Sequence, residues 1–170
     1  MRLWHYKLIP FLPKSQLLAQ WRELNSIFKK QDKHILINYV YEYNKLELEE
    51  YTCLVLNEMI KRKIKISSWD NFLKYFNYSP LDHSVDSIIG FRIQHMKDML
   101  GDNKLFKHHH TIRYFIQCFF NLQEKYDRGQ KDFGKEQYLK LYEFYFSVMA
   151  NRLPRDFLNE EEKIIAQKIA

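Results

Sequence analysis

Glycine and proline are scarce in this chain, four of each in 170 residues, whereas tyrosine and phenylalanine number 12 and 13. So little turn-forming material argues for long regular elements with few tight turns. No tract is simple enough to read as disordered, so the chain is expected to be folded nearly end to end. Cysteine is as sparse. Cys53 and Cys118 fall in no paired motif and cannot supply a four-thiolate zinc cage, which fits a reducing compartment best and requires no function of either. Nor does any run approach eighteen consecutive apolar residues, so a membrane span is not expected.

What is present is a large stock of core-forming side chains. Hydrophobic residues make up 46% of the sequence, enough for a sizeable core, and the length suits one domain spanning residues 1–170. Lys and Arg number 27 against 21 Asp and Glu, a formal charge of +6. Such a balance permits a polyanionic partner without demanding one. The opening "MRLWHYKLIPFLPKSQLLAQWREL" does not read as a signal peptide. Lys7 and Lys14 interrupt it, Pro10 and Pro13 bracket its middle, and no small-residue cleavage site follows. A soluble, cytoplasmic protein is the expectation.

Periodicity predicts an all-α fold. Leu17, Leu18, Trp21, Leu24, Ile27 and Phe28 recur at helical spacing behind Ser15, a candidate N-cap, which puts Arg22 and Glu23 at the edge of the apolar stripe or on the opposite face. Pro10 and Pro13 favour a directed, extended lead-in to that helix. "HILINYVYEY" and the short "IKIS" have strand-like composition, but one or two strands cannot form a self-sufficient sheet. "KLELEEYTCLVLNEMIKRKIKI" predicts a helix of about five turns, with Leu46, Leu54, Val55, Met59 and Ile60 inward and Glu47, Glu50 and Glu58 available to solvent. "SSWDNFLKYFNY" reads as a helix capped near Ser67 or Ser68 and ended by Pro80. Further helices are expected over Asp86 to Met99, Thr111 to Lys125 and Lys135 to Met149, with a short one beginning near Leu158 or Asn159.

Three features invite a functional reading that their spacing does not support. The runs "YFIQCFF" and "LYEFYFSVM" could stack on bases, yet helical spacing favours core packing. His108, His109 and His110 are adjacent, so no two project equally well from a helix, and no second cluster completes a metal site. "MLGDNK" lacks the glycines of a phosphate loop or dinucleotide fingerprint. No metal or nucleotide cofactor is expected. The amine at the start of the chain is of more interest. An α-amine titrates near 7.7 to 8.0, about two to three units below lysine, so an appreciable fraction is a neutral nucleophile at neutral pH. Arg2 is bulky enough to favour retention of Met1, which makes the Met1 amine the candidate nucleophile.

"WREL" at Trp21 to Leu24, "KH" at Lys33 and His34, and "YNKLELEEYTCLVLNEMIKRKIKI" from Tyr43 to Ile66 resemble the pyrimidine dimer DNA glycosylases of the endonuclease V type. The opening stretch is similar in particular to the bacterial branch of that family. The resemblance covers about the first 66 residues and implies a compact, single-domain helical fold that works without a metal. It matches the Met1 amine to the family's nucleophilic amine and Arg2 to the arginine that follows it, with one extra residue before Trp21. Glu23 falls on the essential glutamate and Arg22 on its neighbouring arginine. Arg2 and Arg22, with Lys33 and His34 as weaker positions, are then expected to contact DNA phosphates.

The implied activity is base removal from damaged duplex DNA, pyrimidine dimers above all, followed by strand nicking at the abasic site. The implied partner is the damaged duplex, bound by a monomer located in the cytoplasm and on the nucleoid. Two departures bear on the lesion recognised. Ser26 stands where the phage enzyme has a further arginine, and "EEEKIIAQKIA" is no clear counterpart of its aromatic and basic tail. An abasic-site lyase or a glycosylase for another lesion therefore stays open, as does a noncatalytic helical protein that binds nucleic acid.

Overall fold

A computed structural model describes residues 2–30, 34–78, 87–90, 92, 94 and 105–150. Among the described residues the regular structure is helical throughout, in keeping with the expected all-α class. The α-helices are α1 (Lys14–Lys29), α2 (Lys45–Lys61), α3 (Trp69–Phe76), α4 (Ile112–Asp127) and α5 (Lys135–Met149), with 3-10 turns at Tyr6–Phe11 and Asn38–Tyr41. The strand-like "HILINYVYEY" holds the second of these turns. Its Ile37, Tyr39 and Val40 are buried by the turn, not by a sheet.

The stripe expected on α1 is the buried one: Leu17, Trp21, Leu24, Ile27 and Phe28. Its start differs from expectation. Pro13 is the N-cap, its carbonyl accepting from Gln16 N at 2.9 Å and Leu17 N at 3.0 Å, while Ser15 lies within the first turn. Asp132 accounts for Ser15: its carboxylate accepts from Ser15 N at 2.6 Å and from Ser15 Oγ at 3.1 Å. A proline at the cap leaves no side chain to satisfy a first-turn N–H, and a distant carboxylate does so instead. Asn44 caps α2, accepting from Leu46 N at 3.0 Å. The buried side of α2 is Leu48, Tyr51, Thr52, Val55, Leu56 and Met59, so Leu46 and Ile60 are exposed, contrary to expectation. The charged chemistry is also less simple than a wet face: Glu49 is buried and held by Arg92 at 3.0 Å and by the Tyr78 hydroxyl.

Helix ends were the weakest expectation. α2 closes at Lys61, where Lys63 takes a left-handed conformation (φ 53°) and Ile64 N donates back to Met59 O at 2.9 Å. α3 ends in the same way at Asn77 (φ 60°), with Tyr78 N donating to Leu73 O. A left-handed residue of this kind satisfies orphan carbonyls and stops a helix without proline. Pro80 is thus not the terminator, and it lies outside the described residues. The expected helix from Asp86 to Met99 is described at 87–90, 92 and 94, where it is helical, and the expected tail helix near Leu158 lies outside the described residues. Thr111 caps α4 through Tyr114 N, and α5 has the expected bounds.

Residues 2–12 contribute Leu3, Trp4, Leu8, Ile9 and Leu12 to the core. The lead-in is not extended: it coils into the 3-10 turn Tyr6–Phe11, which packs on α2, α4 and α5. Leu3, Leu8, Ile9 and Leu12 are at most 1% exposed. Burial of each such side chain contributes about 1.5 to 3 kcal/mol, so detaching this segment would strip the core. Its backbone is satisfied from outside, because Arg62 donates to Pro10 O at 2.5 Å and Leu12 O at 2.6 Å, and Gln137 donates to Phe11 O and Leu12 O. His5, the N-cap of this turn, stacks on His110, both buried, with His110 Nε2 2.8 Å from the Tyr39 hydroxyl.

Candidate active site

Glu23 faces a cleft of about 460 Å³ whose inner wall is the polar face of α1. Gln16, Ala19, Gln20 and Glu23 are spaced three, four and seven residues apart, the interval that keeps side chains on one side of a helix. Asn121, Glu124, Lys125 and Arg128 from the end of α4, with Gln130 just beyond, line the outer wall. Arg2 and Trp4 complete it from the lead-in. The size falls among pockets that take small ligands, roughly 300 to 1,000 Å³, but Trp4 and Ala19 are the apolar members of the lining. A charged or strongly hydrogen-bonding group suits it better than an apolar one.

The inner wall is tied down by hydrogen bonds that converge on Gln20. Trp4 N donates to Gln20 Oε1 at 2.9 Å, and the fully buried Tyr51 hydroxyl lies 3.0 Å from the same oxygen and 2.8 Å from Trp4 O. One hydroxyl proton is therefore shared between two acceptors. Gln20 Nε2 donates to Glu23 Oε2 at 3.2 Å, and Arg2 N donates to that same oxygen at 3.2 Å. The Tyr114 hydroxyl donates to Leu3 O at 2.5 Å. Residues 2–4 are thus fixed by four side chains, those of Gln20, Glu23, Tyr51 and Tyr114, from three helices.

Burial raises the pKa of the half-buried Glu23 carboxyl above its ordinary value. The Arg2 N–H, the charge of the chain's terminus, the Gln20 amide and His34 act in the opposite sense without reversing it. A carboxyl placed this way exchanges protons nearer neutral pH than an exposed one does.

Of the residues expected to act, the structure brings Arg2 and Glu23 together in the cleft. The Arg2 guanidinium carbon lies 5.9 Å from the Trp4 ring centroid, within cation–π range. Arg22 is exposed and does not line the cleft, and His34 feels Glu23 electrostatically without lining it. Met1 and Lys33 lie outside the described residues. Gln20, Trp4 and the α4 residues were not anticipated. A polar stripe at 16, 20 and 23 was available in the sequence as a signal, whereas nothing local couples residues 121–130 to it. His108 and His109 are exposed and His110 is buried; His109 stacks on the Tyr39 ring at 4.4 Å, and His110 Nε2 lies 2.8 Å from the Tyr39 hydroxyl.

A family model described as pyrimidine dimer DNA glycosylase matches residues 1–71. No curated protein and no solved structure matches the chain. The matched stretch contains the lead-in, α1 and the Tyr51 that clamps them, so the whole inner wall of the cleft falls within it. Residues 1–71, and with them the carboxylate and the anchored start of the chain, are similar to the pyrimidine dimer DNA glycosylase family.

Proposed function

We propose that the protein is a DNA glycosylase with abasic-site lyase activity that acts on damaged duplex DNA, pyrimidine dimers foremost, through the Met1 amine and Glu23. The observation that carries this reading is the hydrogen bond from Arg2 N to Glu23 Oε2 inside the cleft, which holds the backbone at residue 2 beside a carboxylate of raised pKa. The neutral amine attacks deoxyribose C1′, the bond from C1′ to the base nitrogen breaks, and the base leaves with that electron pair and gains a proton. Ionised Glu23 stabilises the positive charge developing on the sugar and moves protons between amine and ring oxygen. Opening of the sugar leaves a protonated imine, which acidifies the hydrogen on C2′. Removal of that proton expels the 3′ phosphate and nicks the strand, and water then releases the enzyme.

The polar lining and the net positive charge support a nucleic-acid partner. We read Arg2 in the cleft and exposed Arg22 as phosphate contacts, with Lys33 and His34 as weaker ones on the same stretch of chain. Damage lowers the cost of unstacking a nucleotide, which favours a lesion over intact duplex. Among the described residues no helix is long and apolar enough to cross a membrane.

The test is borohydride reduction of the untagged protein with an abasic duplex and with a cyclobutane dimer duplex, in chelator, followed by peptide mass mapping. An adduct on Met1 with both duplexes is expected. An adduct with the abasic duplex alone keeps the lyase and rejects dimer specificity. No adduct from folded, free-amine protein that binds the DNA overturns the reading in favour of a noncatalytic binding protein.

A further inference from the structure

We propose that Gln20 is the positioning residue of this site, holding Glu23 and the start of the chain in a fixed relation through the two ends of one carboxamide. The inference rests on the reading of the cleft given above and adds a residue to it. Gln20 is 1% exposed, so its polar atoms have no water to fall back on. Its oxygen faces two donors, the Trp4 N–H and the Tyr51 hydroxyl, and its nitrogen faces an acceptor, Glu23 Oε2. Glutamine alone offers a planar acceptor and donor at that length, and its surroundings leave one orientation of the amide. A glutamate at 20 would accept from Trp4 and Tyr51 equally well but turn a second oxygen on Glu23. A methionine would fill the space and leave a buried N–H unpaired. Because Arg2 N and Gln20 Nε2 meet on one carboxylate oxygen, the carboxylate orientation and the backbone at residue 2 are set by a single cluster.

Gln20→Glu and Gln20→Met separate positioning from mere support of the fold. Loss of one hydrogen bond to a charged group is expected to slow imine trapping by about 10- to 100-fold in Gln20→Met. In that variant Glu23 loses a donor, so the acid limb of the rate profile moves to higher pH. In Gln20→Glu the two carboxyls share a proton at mildly acidic pH, where the protonated one donates as the amide did. Its trapping rate therefore approaches wild type on the acidic side and falls away as pH rises. Amplitude losses with unchanged pH profiles in both variants would mean that Gln20 only supports the fold and would overturn the proposal. Carboxyl-carbon NMR of Glu23 in the free protein provides a readout independent of catalysis. An upward move of its titration in folded Gln20→Met supports the proposal even if wild type traps no DNA, and an unmoved titration rejects it.

Discussion

The two walls of the cleft are built differently. On the inner wall, Gln20 is buried, Glu23 half-buried, and residues 2–4 are gripped by Glu23, Gln20, Tyr51 and Tyr114. On the outer wall, Glu124 and Arg128 are exposed and held by nothing stronger than a surface ion pair between them at 2.6 Å. Preorganised groups contribute most to a reaction, because no reorganisation is needed as charge develops. Mobile exposed charges contribute to attraction and little to geometry. On the proposed reading, the inner wall carries the chemistry and the outer wall the hold on the polyanion.

Glu23→Gln tests that division most strongly. The substitution keeps size and the ability to accept from Arg2 N but loses the charge and the proton transfer. Base removal is expected to fall by about 100- to 10,000-fold, while affinity for the duplex, measured by anisotropy, holds or rises with the loss of a negative charge. An equally large loss of chemistry on truncating Lys125 would break the comparison, since it would make the outer wall part of the reacting centre.

Acid should discriminate between the walls as well. Burial lowers the pKa of His5 to about 4 and that of His110 to about 2, with the Lys7 charge acting further on His5 and the two other histidine charges on His110. Both are neutral in the folded protein, and in the unfolded chain both titrate near 6.5. Above that value neither state is protonated and no penalty exists. As pH falls from 6.5 towards 4, the unfolded chain takes up protons that the folded one refuses, so stability declines by about 1.4 kcal/mol per pH unit for each histidine. His5 belongs to the lead-in and stacks on His110, so the decline bears on the segment that carries the inner wall. Urea unfolding between pH 4 and 6 checks this: His110→Gln should flatten the pH dependence by about one proton. A slope equal to that of wild type would remove His110 from the account.

Much of this was legible from residues 1–30, because the inner wall is local. The apolar stripe of α1 fixed which residues turned inward, and the spacing of 16, 20 and 23 put the remaining polar residues on one side. Resemblance singled out Glu23, and the structure puts Arg2 N 3.2 Å from its carboxylate. What was not legible depended on long-range contacts or on backbone detail. Asp132 satisfies Ser15 across more than a hundred residues, Tyr114 reaches Leu3, and α4 closes the cleft from outside the family match. The ends of α2 and α3 depend on left-handed Lys63 and Asn77, residues with no strong compositional signal for a stop. Leu46 and Ile60 were expected inward because their spacing is helical, but spacing does not say which of two adjacent apolar stripes a neighbour covers.

Lys125 sharpens the outer wall's part. It lines the cleft, and a lysine there attracts phosphate as a point charge without orienting it. Lys125→Ala is expected to leave the maximal rate of base removal near wild type and to weaken binding, with the slope of log affinity against log salt shallower by about 0.9, the value for one phosphate contact. An unchanged slope means that Lys125 touches no phosphate. Arg22→Ala makes the same measurement for the exposed arginine next to Glu23, where a reduced slope with an intact maximal rate is again the expected result.

The smallest effect belongs to Glu124→Ala. Its partner Arg128 is four residues on, and the two side chains are 56% and 77% exposed, so solvent and salt screen the attraction. Such helical surface pairs contribute about 0.3 to 0.5 kcal/mol, which is the most that thermal or urea unfolding should lose. Binding moves the other way. Removing Glu124 takes one negative charge out of a cleft that also holds Arg2, Lys125 and Arg128, and it frees Arg128 to turn towards phosphate. A slightly tighter complex with a slightly steeper salt dependence is expected, with the trapping rate at saturating duplex unchanged. If Glu124→Ala instead slowed trapping by tenfold or more in a protein of unaltered stability, the carboxylate would be acting on the reaction. The outer wall would then be as preorganised in the complex as the inner wall is in the free protein.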